Sequence, residues 1–526
     1  MTASRRQVLS GGVAATVALA GMRARAVRAM PPADLDVAVI GGGVSGAYTA
    51  WRLRQAQPGL RVGLFEMSGR IGGRLRSIAF PQAPHLVGEV GGMRFLEVQK
   101  HVFNLVRTLN LPRRGYPITL PPDRVDLRGT NLSVAEIGQP SKLFPYAIKP
   151  ADQSPASTLY MDGMSRIVPG AKSMSRAQWR TVRSTFRYKG RLLKDWAAWA
   201  LLSTVFSAEE MRFMQDASGY DDVAFTESGL DELDYTFLAD DESKPFFTLA
   251  GGYQRLPLAL AQEAGHLGAG LSMQTRLSSV AVKPDGFALS LRDRSGRNHA
   301  VTARRVVLAM PRRALEAVKG LGDDPRIAPL LASVTPVPAC KALLLYPRPW
   351  WRDLGIAAGR SVTDMPARQF YALGAEPERL PIEPANGMGL LMMYSDAGTV
   401  AHWQELASPA PPDAAGFQWL PATSQLAGEL HREAGIVYRA TPPAPLAACF
   451  QDWTAEPFGG GWHYWAKGCD GLQLADRVMQ PLPGRDLFIC GEAYGTYSAG
   501  WVEGAVERAE TMLQKHFGLK PPAWLG

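Results

Sequence analysis

The hexapeptide Gly41-Gly42-Gly43-Val44-Ser45-Gly46 follows a short apolar run, LDVAVI, and precedes a helical pattern, AYTAWRLRQA. In that setting its spacing can hold a pyrophosphate. Gly41 allows a tight turn, Gly43 lets phosphate approach the backbone, and Gly46 lets the helix pack close to the strand. Val44 and Ser45 open the helix, whose free N–H groups face the phosphates. A second run, RVGLFEM, ends in Glu66, 20 residues beyond Gly46, where a carboxylate can accept ribose hydroxyls. Another acid raises a question. In GLLMMYSDAG, Asp396 follows an apolar run that reads as a buried strand. Either the strand has reached water, or the acid faces something positive in a cavity.

The elements that must position these residues begin with a βαβ unit, formed by LDVAVI, the helix and RVGLFEM. Residues 111–157 are rich in proline and turn formers and read as irregular. Residues 171–217 have helical periodicity, clearest in RLLKDWAAWALLSTVF. Strands resume from 247 with FFTLAGG, RLSSVAV, FALSLRD and ARRVVLAM. The last strand signal is RDLFICGE, followed by a helix from about Val502.

Composition narrows the classes. A chain of 526 residues implies two or three domains. Cys340, Cys449, Cys469 and Cys490 have no zinc-like or CxxC spacing, so neither a disulfide framework nor a metal site is expected. The net charge falls from +9 to +4 once the five arginines of residues 1–30 are set aside. That surface does not suit nucleic acid. The excluded segment carries SRRQVL, a weakly apolar Gly/Ala-rich run and ARA, the pattern of a twin-arginine export signal over residues 1–30. Export to the periplasm or medium is therefore expected, with no integral membrane segment.

Glu66 followed by GRIGGR (69–74), then GEVGGMRF (88–95), GGYQRLPLALA (251–261) and CGEAYGTYSAGWVEGAVERA (490–509), resembles the flavin amine oxidase superfamily. The resemblance implies an α/β fold: a Rossmann-like FAD-binding domain of the glutathione-reductase type, a mixed-sheet substrate-binding domain and a helical insertion. The matching boundaries are 34–87, 247–330 and 478–520 for FAD; 88–150 and 331–477 for substrate; and 151–246 for the helices. Gly73 and Arg74 are implied to approach the cofactor, with Gly92, Met93, Arg94, Gly491, Trp501 and Val502. Val280 is implied to touch the adenine and Glu492 the ribitol. Some relatives attach FAD through a cysteine after GlyGly; here that position is Trp462, so non-covalent FAD is expected.

Within the superfamily, GGMR is similar to the motif of L-amino acid oxidases, whose arginine clamps the substrate carboxylate. Arg94 can do so because guanidinium makes a planar, two-pronged, charge-assisted grip. CKALLLYPRPWW resembles the stretch around the family's catalytic lysine, which gives Lys341 the oxygen-step role. The resemblance also gives Tyr394 a hydrogen bond to the carboxylate, Gly500 a carbonyl for the amine, and Trp501 a wall of the site. SGYDDVAFTESGLDELDY looks like the substrate-bordering segment and places Asp231 and Tyr235 there. Asp231 and Asp396 stand where the family has neutral residues, and a buried acid needs a partner. A cationic side chain would supply it, so L-arginine or L-lysine is the expected substrate, with Trp462 and Trp501 able to stack on a guanidinium. Oxidative deamination with oxygen would release the 2-oxo acid, ammonia and hydrogen peroxide. An amide-forming amino-acid monooxygenase and a polyamine oxidase share most of these motifs and stay open. A homodimer or higher homo-oligomer is expected.

Overall fold

The computed structural model describes residues 35–116, 123–133, 145–149, 156–222, 227–238, 245–375, 387–407, 412–413, 416–496 and 498–525. Residues 1–30, where an export signal is expected, lie outside them.

The strand Leu35–Ile40 sits inside a seven-stranded sheet. It pairs in parallel with Val62–Phe65 on one side and Asn298–Leu308 on the other. Leu35–Ile40 and Val62–Phe65 are buried almost throughout and read as apolar runs, whereas Asn298–Leu308 is continuously buried only over its last three residues. The helix Val44–Ala56 covers one face, together with Arg255–His266 and Val502–Phe517. Gly270–Ser272 extends the sheet, the meander Thr275–Lys283, Gly286–Asp293 and Asn298–Leu308 forms its other wing, and Leu487–Ile489 pairs in parallel with Asn298–Leu308. Three stretches far apart in sequence thus build one Rossmann-like body.

A second, eight-stranded sheet has the order Phe417–Leu420, Ala447–Asp452, Ala339–Tyr346, Gly389–Asp396, Gln369–Ala375, Gly359–Thr363, Arg124–Leu127, Thr130–Ser133. Residues 111–157 are therefore not wholly irregular. Arg124–Leu127 and Thr130–Ser133 finish the edge of this sheet, and Arg113–Gly115 pairs with Phe246–Leu249. Arg124–Leu127 and Thr130–Ser133 form a local hairpin, and at three or four residues each these strands are too short to carry much periodic signal.

Helices Ala156–Ile167, Arg176–Thr185, Ala198–Leu202, Ala208–Ser218 and Gly229–Leu238 pack around a separate core that includes Trp179, Phe213, Leu230 and Leu233. The run RLLKDWAAWALLSTVF is not one amphipathic helix. Arg191–Leu192 turns back on Arg187–Tyr188 through Gly190, at φ +80°, and only Ala198–Leu202 is α-helical. Among the described residues, no helix is long and apolar enough to cross a membrane.

Candidate active site

The glycine turn leaves the strand at Gly41, whose N–H donates to the Phe65 carbonyl at 2.8 Å. Gly41 has φ +108°, and an added Cβ would sit 2.5 Å from the Ala309 carbonyl oxygen. Only glycine fits there. Gly46 lies in the first helical turn against the Gly41 carbonyl. Gly43 differs: a Cβ on it would meet nothing nearer than Gly73 Cα at 3.7 Å, and both glycines line a cavity. Val44, Ser45, Glu66, Arg74, Gly92, Gly491, Glu492, Trp501 and Val502 line it too. Glu66 is fixed by the Gly42 N–H at 2.6 Å and the Ser68 N–H at 2.8 Å. A bare-backbone floor, a helix N-terminus and a held carboxylate suit a dinucleotide's pyrophosphate and ribose.

Val280 does not reach this cavity. It packs in the core among Phe287, Val318 and Leu321 and is 7% exposed. Thr275, Arg276 and Leu277 of the same strand line the cavity instead. The strand enters beside Glu66, whose carbonyl accepts the Thr275 N–H at 2.9 Å, and an irregularity between Leu277 and Ser279 shifts the register of the rest of the strand. Of this strand, the residues that border the cavity are thus those upstream of the irregularity.

At the other end Glu492 accepts from Arg74 at 2.6 Å, the His463 N–H at 2.8 Å and the Gly500 N–H at 3.2 Å. Burial pushes its carboxyl up, but Arg74 and His463 outweigh that and hold it at about 2. Arg74 also donates to the Gly461 carbonyl at 3.0 Å. His463 is a buried partner that no sequence spacing announced.

Arg74, Gly92, Gly461, Gly500, Trp501 and Val502 are shared with a second cavity of about 520 Å³. Arg94 enters it with its guanidinium over the Phe246 ring at 4.4 Å and 5.9 Å from that of Trp501. Those two rings are near-parallel, 6.4 Å apart. Lys341 and Tyr394 face each other as cross-strand neighbours in the eight-stranded sheet. The Lys341 ammonium donates to the Gly91 carbonyl at 2.6 Å and lies 5.9 Å from the Tyr394 ring. Burial, with Arg94 adding, brings its pKa down to about 7 against the pull of Glu89. Tyr394 stacks on Trp462 at 6.1 Å, and Met93 Sδ lies 3.2 Å from the Tyr116 hydroxyl.

The two acids part company. Asp231, on the helix Gly229–Leu238, lines the cavity. One oxygen lies 3.6 Å from Arg183, while Oδ2 is buried without a hydrogen bond. Arg183 is itself held by Asp234 and, at 2.6 Å, by Asp470. Burial, then Asp234, push the Asp231 carboxyl well up, and Arg183 opposes. Tyr235 lies on the same helix, but its side chain falls outside the described residues. Asp396 does not line the cavity at all, correcting both alternatives posed by its sequence. All eight residues of Gly389–Asp396 are buried, and Asp396 is 0% exposed. Its carboxylate accepts the N–H groups of Asp221 and Asp222 at 2.7 and 3.2 Å and the Tyr394 hydroxyl at 3.0 Å. Two acids not singled out in the sequence, Asp222 and Glu227, do reach the cavity wall.

The chain matches the family model described as flavin containing amine oxidoreductase over residues 44–511. It is 28% identical to Aplysianin-A from Aplysia kurodai over 535 residues, 93% of this chain and 92% of that protein. An L-amino-acid oxidase from Echis ocellatus is 25% identical over 340 residues, 64% of each chain. Among solved structures, putrescine oxidase bound to putrescine superposes with a TM-score of 0.68 at 17% identity, over 93% of this chain and 100% of that one. At that identity the likeness speaks for the fold.

Proposed function

The chain belongs to the flavin-containing amine oxidoreductases, with FAD as its cofactor, and we propose that it oxidatively deaminates a basic L-amino acid, L-arginine or L-lysine. The observation that carries this is the mixed wall of the second cavity. Arg94, Lys341 and Tyr394 stand on it together with Asp222, Glu227 and Asp231. An amino acid with a cationic side chain presents an anion and a cation, and this wall offers a partner for each.

Arg94, stiffened by Phe246, grips the α-carboxylate, and Tyr394 donates to it. The Gly500 carbonyl takes the amine, at a residue anchored by its N–H on Glu492. Asp231 Oδ2 takes the guanidinium or ammonium of the side chain, replacing the hydrogen bond it lacks in the protein. Trp462 and Trp501 flank the path and exclude water. Fixing the substrate at both ends aligns its Cα–N bond, and positioning is the main contribution asked of these residues. Bound FAD supplies the two-electron chemistry. Lys341, with its pKa near neutrality, holds or gives a proton beside Gly91 in the oxygen step. Among the described residues no cysteine lines either cavity, and Trp462 occupies the position of attachment in some relatives, which supports non-covalent FAD. The export signal at residues 1–30 remains part of this reading.

The test is anaerobic mixing of the purified FAD-loaded protein with each L-amino acid. Arginine and lysine should bleach the visible flavin band fastest, with oxo acid and peroxide formed in air. Bleaching by spermidine or putrescine but by no amino acid would select a polyamine oxidase. Amide and carbon dioxide in place of oxo acid would select a monooxygenase.

A further inference from the structure

Asp396 has a place in the site that its absence from the cavity wall hides. Its Oδ1 already accepts two backbone N–H groups, from Asp221 and Asp222, whereas its Oδ2 meets only the Tyr394 hydroxyl, at 3.0 Å. Tyr394 lines the cavity and Asp396 lies behind it, fully buried. A phenol has one proton to donate. With Asp396 ionised, that proton points to Oδ2, and Tyr394 shows the cavity only lone pairs, which repel a carboxylate. With Asp396 protonated, Oδ2 is the oxygen that carries the proton, because Oδ1 is filled. Asp396 then donates to Tyr394 Oη, and the phenolic proton is free to turn toward the cavity.

We propose that Asp396 is a positioning residue that sets the direction in which Tyr394 donates, so that Tyr394 binds the substrate carboxylate only while Asp396 is protonated. This rests on the reading that Arg94 and Tyr394 hold an α-carboxylate. The surroundings of Asp396 favour a proton near neutrality. Burial pushes its carboxyl up to about 7; Asp221 adds to the rise, while the backbone N–H, Tyr394 and Arg368 oppose it. Arg368 is already engaged by Asp221 at 3.2 Å. The facing sheet strand brings Cys340, whose thiol burial keeps protonated, near Asp396, and Lys341 near Tyr394. Tyr220 packs edge-on against Tyr394 at 5.7 Å, and Asp222 comes next in the chain after Asp221.

The experiment measures binding of pentanoate, a carboxylate with no amine to oxidise, to FAD-loaded protein through the shift it causes in flavin absorption. Wild type is compared with Asp396→Asn, whose amide can donate to Tyr394 while its oxygen accepts the two N–H groups. Dissociation constants should match at pH 6, and at pH 8.5 the variant should bind about tenfold tighter, the worth of roughly one charge-assisted hydrogen bond. Taking the ratio cancels titration shared by both proteins, that of Lys341 included. A ratio that stays constant with pH overturns the proposal. Should the Asn variant not fold, Tyr394→Phe decides: the advantage of wild type over it should be present at pH 6 and gone at pH 8.5, and an unchanged advantage overturns the proposal. If wild type at pH 6 binds no carboxylate, the substrate reading falls and this proposal with it.

Discussion

The cofactor cradle and the substrate cavity touch along Gly92, Gly500 and Trp501, yet they are specified in different ways. The cradle is largely backbone. Gly41 to Gly46 and Glu66 to Arg74 build most of one wall, and what matters is where side chains are missing. The substrate cavity is side-chain chemistry drawn from separate segments: Arg94, Asp222, Glu227, Asp231, Lys341, Tyr394, Trp462 and Trp501. A backbone site is fixed by local conformation, whereas a side-chain site depends on which distant group arrives opposite. Substitutions in the first should therefore act on every substrate alike, and those in the second should discriminate.

The largest effect is expected at Gly41. An alanine there is strained at φ +108° and overlaps the Ala309 carbonyl at 2.5 Å. Relieving strain of about 1–3 kcal/mol and the overlap forces the turn to shift, which takes the Gly43 backbone and the helix N-terminus out of position for a pyrophosphate, so FAD binding should weaken on the order of 100-fold or more. Gly41→Ala protein should purify folded by circular dichroism but nearly colourless. A yellow, fully active variant would show that the cradle tolerates a side chain and would dissolve the contrast.

Asp231→Asn sharpens the other side of the comparison. Asn leaves no carboxylate to ionise against an arriving cationic side chain, which should lower kcat/KM for arginine and lysine by about 10- to 100-fold. Leucine should change by less than about threefold. The fold should tolerate the change, since Arg183 keeps Asp234 and Asp470. Equal losses for both substrate classes would remove Asp231 from side-chain recognition.

The two acids Asp231 and Asp396 show what sequence could and could not tell. The βαβ unit, the glycine turn and Glu66 were legible because strand, turn and helix periods are local. Arg94, Lys341, Tyr394 and Trp501 were legible through motif order, and they do meet at one cavity. Asp231 and Asp396 looked alike as acids in place of neutral residues, but their surroundings separate them. One faces a cavity with an oxygen lacking a hydrogen bond. The other is closed in by two N–H groups 175 and 174 residues away in sequence and by a phenol two residues away in its own strand. Nothing in YSDAG announces the Asp221 backbone. Position along a strand was as hard to read: past the irregularity after Leu277, Val280 lies in the core and not on the cavity wall.

The smallest expected effect concerns stability and tests whether the cavity, unlike the cradle, carries a cost of its own. Lys341 is 5% exposed, and its pKa falls from 10.5 to about 7 in the folded chain. Between those values the unfolded chain binds a proton that the folded chain does not, so the stability contribution of Lys341 rises with pH across that window. At and below about pH 7 its burial costs the most, up to roughly 5 kcal/mol at about 1.4 kcal/mol per pKa unit. Lys341→Met removes both the cost and the slope. For a chain of this length that should raise the melting temperature of FAD-loaded protein by only a few degrees at pH 7, and by almost nothing near pH 10. Turnover in air should slow at the oxygen step while anaerobic flavin bleaching persists. A melting difference independent of pH would mean that Lys341 is not held neutral by its burial, and the cavity would then be no more strained electrostatically than the backbone cradle beside it.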